Sequence, residues 1–127
     1  MSDQPRIMVV EDDQDILTLV IRHLLANHFD AVGFSDPLKA LADFKSDPAK
    51  YDVLLTDIRM PGMNGIELAA HVTRLNPMTK IMIMTAHELF PEDLRLRLPI
   101  ISHRDILRKP FQLAEVCNRL RKLVDAN

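Results

Sequence analysis

Cysteine is nearly absent from this 127-residue chain. The single one, Cys117, has no second thiol for an internal disulfide and no spaced histidine pair for a zinc site. It reads as apolar packing on a helix face. No apolar run approaches the roughly 20 residues that span a bilayer. The N-terminal MSDQPRIMVV lacks the basic segment and apolar core of a secretory leader. The expectation is a cytoplasmic protein with no membrane partner. One-sided charge is missing too: with a formal net charge of −2 and both signs interspersed, there is no positive field to draw nucleic acid, which argues against direct binding. Low-complexity tracts, internal repeats and linkers are also lacking. What remains is an ordinary globular composition, 47% apolar and 27% charged. The length fits one domain, residues 1–127, with an ordered core of about 5–125.

Short apolar runs alternate with longer segments of helical period, which favours parallel strands joined by crossover helices. The candidate strands are Ile7–Val10, Ala31–Phe34, Val53–Thr56, Ile81–Thr85 and the weaker Asp105–Leu107. The first, third and fourth are continuously apolar, as strands buried on both faces are. Leu17, Val20, Ile21, Leu24 and Leu25 recur at helical steps, as do Leu113, Val116, Cys117, Leu120 and Val124. Ser35 or Asp36 before Pro37 marks a capped helix start. Gly65 opens a segment carrying Leu68, Val72 and Leu75, which Asn76-Pro77 ends. The fourth connection is irregular: Pro91 starts a helix that Pro99 must stop, leaving Ile100–Arg104 as the approach to the last strand.

In such a sheet, chemistry collects at the carboxyl ends of the strands. There the first strand runs into Glu11-Asp12-Asp13, the third into Thr56-Asp57, the fourth into Thr85-Ala86 and the fifth toward Lys109-Pro110. Clustered carboxylates repel one another unless a cation shares them. Oxygen donors without His or Cys suit a hard ion, Mg²⁺ with Mn²⁺ as a substitute, and Mg²⁺ takes a few carboxylates together with phosphate oxygens. Lys109 offers a positive charge and Thr85 a hydroxyl donor to phosphoryl oxygens, and an aspartate beside the metal is a candidate nucleophile. Asp57 ends the apolar stretch Val53-Leu54-Leu55, where an unpartnered carboxylate would be costly. Asp13 divides evenly between this cluster and a helix N-cap.

These pieces together resemble the receiver domain of two-component response regulators over nearly the whole chain. The resemblance is carried by Val9-Val10-Glu11-Asp12-Asp13, by Asp52 through Gly65 with Asp57-Ile58-Arg59-Met60-Pro61-Gly62 at its centre, by Met84-Thr85-Ala86, and by Leu107-Arg108-Lys109-Pro110-Phe111. It implies an α/β fold: a doubly wound, five-stranded parallel sheet of order 2-1-3-4-5 with about five helices. It implies Asp57 as phosphoacceptor, with Glu11, Asp12, Asp57 and the backbone carbonyl of Arg59 holding Mg²⁺. Thr85 and Lys109 would complete the catalytic set on the phosphoryl group, with Thr85 moving on activation and Pro110 following a cis bond. Arg59 and His87 would flank the mouth and tune phosphoryl lifetime. Gly62 and Gly65 match glycines of the loop after the acceptor.

The chain departs from the family where Ile106 replaces the usual aromatic switch residue and Ser102-His103 a small pair. The Thr85-to-Lys109 interval is also longer than is common. An unusual output face is the expectation. His23, His28, His71 and His103 form no donor or metal motif. The implied partners are a sensor histidine kinase or histidine phosphotransfer protein and a downstream effector domain or protein, with a homodimer as an open option. The chain would then be no enzyme beyond its own phosphorylation and dephosphorylation. A haloacid-dehalogenase-type enzyme would need an aspartate where Arg59 stands. A flavodoxin-like carrier would need a phosphate loop where the acidic cluster lies. The alternative is a degenerate receiver acting as a constitutive protein-binding module.

Overall fold

Alternate residues of each central strand enter different cores, and this explains why the strands are apolar throughout. In the computed structural model, which describes residues 4–86 and 106–125, the strands are β1 (Arg6–Val10), β2 (Asp30–Phe34), β3 (Val53–Asp57), β4 (Lys80–Thr85) and β5 (Ile106–Arg108). Ile7, Val9, Val53, Leu55, Met82, Met84 and Leu107 face one core. Met8, Val10, Leu54, Ile81, Ile83 and Ile106 face the other. A side-chain period of two on a sheet covered on both faces leaves no solvent-facing position for a polar residue.

The helices divide between the faces. Helices α1 (Gln14–Ala26) and α4 (Leu113–Asp125) cover the first core through Leu17, Val20, Leu24, Val116, Cys117 and Leu120. Helices α2 (Pro37–Ser46) and α3 (Gly65–Leu75) cover the second through Ala40, Leu41, Phe44, Leu68, Ala69 and Val72. The sheet order is β2-β1-β3-β4-β5 with every pair parallel, the expected doubly wound arrangement. Cys117 is buried and free, as helix-face packing requires.

Three caps fix where helices begin. Asp13 accepts from Asp15 N–H and Ile16 N–H, Asp36 accepts from Leu38 N–H with Pro37 at the first position, and Asn64 accepts from Glu67 N–H. Each such cap contributes about 1 kcal/mol. Asp13 therefore serves the cap, and Asp36 rather than Ser35 starts α2.

Two stripe residues are corrected. Leu25 and Leu75 are exposed, because Leu25 lies to the side of the buried line Leu17, Val20 and Leu24 on α1 and Leu75 is the last residue of α3. The last strand is Ile106–Arg108, shifted by one from the expected Asp105–Leu107, and Asp105 lies outside the described residues. The expected segments Pro91–Leu98 and Ile100–Arg104 lie outside them as well. Among the described residues, no helix is long and apolar enough to cross a membrane.

Candidate functional site

Strand register brings the site together. Val10 pairs with Thr56, so Glu11 emerges level with Asp57. Asp57 pairs with Met84, placing Thr85 one step beyond it on the next strand. Thr85 pairs with Arg108, which brings Lys109 to the same edge, and Lys109 N–H donates to the Thr85 carbonyl at 2.8 Å. Four loops thus meet at the carboxyl ends of four strands.

One carboxylate oxygen from each of Glu11, Asp12 and Asp57 lies within 4.8 Å of the others. Lys109 Nζ donates to Glu11 Oε1 at 2.6 Å and to Asp57 Oδ2 at 3.2 Å. The remaining oxygens are held by backbone. Ile58 N–H donates to Asp57 Oδ1 at 2.8 Å, and Asp13 N–H donates to Glu11 Oε2 at 3.3 Å. Asp57 is thus held at both oxygens, Oδ1 by backbone and Oδ2 by the Lys109 ammonium.

Glu11 is fully buried. Burial pushes its carboxyl up to about 7 against the hydrogen bond from Lys109, and the neighbouring Asp57 charge adds to the rise. Burial works against the Lys109 charge, yet the hydrogen bond to Glu11 and the Asp57 charge outweigh it and leave the ammonium raised above its ordinary value. Lys109 is therefore cationic, and the pocket holds more carboxylate than one lysine neutralises. All-oxygen donors at this spacing fit a hard divalent ion of the Mg²⁺ type.

The loop after Asp57 closes tightly. Gly65 N–H donates to the Ile58 carbonyl at 2.7 Å, and a Cβ on Gly65 would stand 1.9 Å from the Asp57 carbonyl oxygen. Only glycine permits that approach. Gly62 has φ +88°, the left-handed region. The Lys109-Pro110 bond is cis, as the resemblance implied.

The other expected site residues fall in different surroundings. Thr85 is buried at the end of β4. Arg59 is exposed two residues past Asp57, and His87 lies outside the described residues. Ile106 is buried in the core shared with α2 and α3 and pairs with Ile83. Sequence reasoning missed the Ile58 and Asp13 N–H donors, which carry no side-chain signal. It also missed an apolar groove of about 430 Å³ beside the pocket, lined by Ile16, Leu19, Val20, Pro110, Phe111 and the Lys109 side chain.

Comparison with known proteins agrees with this geometry. The family model described as response regulator receiver domain matches residues 7–121. The chain is 32% identical over 123 residues to the response regulator receiver protein CpdR of Brucella abortus, covering 95% of this chain and 98% of that one. It is 37% identical over 123 residues to the sensor histidine kinase TmoS of Ectopseudomonas mendocina, covering 97% of this chain but only 12% of the kinase. A receiver domain protein of Methanospirillum hungatei superposes with a TM-score of 0.86 at 21% identity, covering 97% of this chain and 95% of that one. The response regulator TrrA of Thermotoga maritima, solved in complex with Mg(2+)-BeF, superposes with a TM-score of 0.80 at 26% identity, covering 94% and 99%.

Proposed function

Because the chain belongs to the response regulator receiver domain family of two-component signalling, we propose that it accepts a phosphoryl group on Asp57 from a histidine kinase or histidine phosphotransfer protein and passes the change to an effector. The observation that carries this reading is Lys109 Nζ bridging Glu11 and Asp57 over a cluster of three carboxylates.

The chemistry follows from the residues. Ile58 N–H fixes Asp57, and a carboxylate oxygen attacks phosphorus. An O–P bond forms, the N–P bond of the phosphohistidine breaks, and the imidazole leaves with the electron pair. Lys109 pairs with phosphoryl oxygens, and the Thr85 hydroxyl donates to another. Glu11, Asp12, Asp57 and the Arg59 carbonyl would hold Mg²⁺, which when bound supplies positive charge to the phosphoryl oxygens and relieves the carboxylate repulsion. Hydrolysis of the acyl phosphate resets the switch, with Arg59 and His87, at the positions that tune lifetime in the family this chain resembles, setting its lifetime. The apolar groove beside Lys109 is the surface on which a protein donor seats itself next to Asp57.

Intact-protein mass after incubation with acetyl phosphate tests the reading, with and without Mg²⁺, on the wild type and on Asp57→Asn. A gain of one phosphoryl group that needs both Mg²⁺ and Asp57 is expected. No adduct despite demonstrated Mg²⁺ binding, with rapid hydrolysis controlled for, would favour a constitutive binding module.

A further inference from the structure

Leu38 is an exposed leucine with a fixed position. It is the second residue of α2 and 52% exposed. Its helix start is pinned, since Asp36 accepts from Leu38 N–H at 2.9 Å and Pro37 is buried at the first position. The side chain belongs to neither core. Its Cδ1 and Cγ stand 3.6 and 3.8 Å from where a Cβ on Gly62 would sit, which puts them against the turn.

That turn is the apex of the loop joining Asp57 to α3. Both ends of the loop are anchored: Ile58 N–H holds Asp57 Oδ1, and Gly65 N–H holds the Ile58 carbonyl. Met60 and Met63 pack partly into the core from its flanks. Pro61 and Gly62 are exposed, and among the described residues, Gly62 and its chain neighbours Pro61 and Met63 apart, Leu38 supplies the atoms within 4 Å of that Cβ position. The φ of +88° leaves Gly62 without a side chain to anchor itself.

We propose that Leu38 is a positioning residue for the phosphorylation site, bracing the Gly62 turn and thereby holding residues 58–64 in the shape that metal binding requires. The proposal rests on the reading of Asp57 as phosphoacceptor beside a Mg²⁺ site. Its physical content is preorganisation: a loop already ordered by Leu38 loses less entropy when its carbonyls and Asp57 take up an ion. The brace also ties α2, and through Asp36 the segment after β2, to the acceptor loop.

The test compares Leu38→Ala, the conservative Leu38→Met, and Leu25→Ala as a control of equal exposure (53%) at the far end of α1. Mg²⁺ affinity is read by titration calorimetry, and amide exchange is read across residues 58–65. Phosphorylation by acetyl phosphate is followed at limiting and at saturating Mg²⁺. Leu38→Ala should weaken Mg²⁺ about three- to tenfold, at or below the range seen for outer-shell partners. It should speed exchange in the loop and recover its phosphorylation rate at saturating Mg²⁺. Leu38→Met should restore binding, and Leu25→Ala should change nothing.

Wild-type Mg²⁺ affinity in Leu38→Ala, or an equal loss in Leu25→Ala, would overturn the brace. A defect confined to transfer from a protein donor would overturn it too, by making Leu38 a partner contact. Failure of the wild type to accept phosphate would instead sink the Asp57 reading, while titration and exchange would still decide the role of Leu38.

Discussion

Lys109 Nζ and Glu11 Oε1 lie 2.6 Å apart although 98 residues separate them in the chain. The pair joins the end of β1 to the loop after β5, and Lys109 reaches Asp57 as well. Its removal has two consequences with different readouts. Lys109→Met leaves the buried Glu11 without its strongest donor, so the urea-unfolding free energy should fall by about 1–3 kcal/mol. Phosphoryl uptake from acetyl phosphate should fall at least about tenfold, because the cation facing the developing charge is gone. Glu11→Gln adds a metal readout: its amide oxygen can still accept from Lys109, but its NH2 then faces the Asp13 N–H, so stability should fall by about 1 kcal/mol while Mg²⁺ affinity drops.

Gly65→Ala tests the closure of the acceptor loop. A methyl group would meet the Asp57 carbonyl oxygen at 1.9 Å, so the start of α3 must move away from β3. The expected cost is about 1–3 kcal/mol in urea unfolding, as for other overpacked sites. Mg²⁺ affinity should weaken in parallel, since Asp57 and Ile58 are the groups displaced. Gly62→Ala differs: the methyl group would meet Leu38 at an ordinary 3.6 Å, so the cost comes from the positive φ, about 1 kcal/mol.

Much of this architecture is legible in the amino acids because it is written in side chains. The strands β1 through β4 were placed to within one residue, since a sheet covered on both faces needs uninterrupted apolar runs. Glu11, Asp12, Asp57, Thr85 and Lys109 are legible together, because polar groups that each have a structural use alone converge here at the ends of four strands. The illegible parts fall into three kinds. Ile58 N–H and Asp13 N–H are backbone groups with no residue signature. Leu25 and Leu75 share the spacing of a helical stripe but stand at its side and at its end, and periodicity alone does not mark its edges. Leu38 looks like a surface accident until the positive φ of Gly62 shows what it covers.

Tyr51 gives a pH-dependent prediction away from the site. Its hydroxyl donates to Asp43 Oδ2 at 2.6 Å, and its ring stacks on Phe44. Burial, the hydrogen bond to Asp43 and the Asp43 charge all raise the phenol above its ordinary value. The folded state therefore resists deprotonation more than the unfolded chain does. The resulting stability is fully present below about pH 10, where the unfolded phenol titrates, and is lost as pH rises toward the folded value. Tyr51→Phe should cost about 1 kcal/mol at pH 7 and flatten the alkaline fall between roughly pH 10 and 11. Urea midpoints across that range check it; a fall as steep in Tyr51→Phe would point to other groups.

Leu19 separates the chemistry from the docking. It is 55% exposed on α1 and lines the groove that also contains Phe111, Pro110 and the Lys109 side chain. An apolar side chain so exposed on a groove that Lys109 also lines gains most when a partner covers it, as when a helix is laid into a groove. Leu19→Glu places a charge on that surface while leaving Glu11, Asp12, Asp57 and Lys109 themselves unchanged. Acetyl phosphate needs no docking surface, so its rate of labelling Asp57 should stay within about twofold of wild type. Transfer from a phosphorylated histidine phosphotransfer protein or kinase should drop on the order of tenfold or more, as loss of a buried interface anchor does. Equal rates with both donors would remove the groove from the docking surface, and equal losses with both would mean that the substitution had disturbed the pocket through α1.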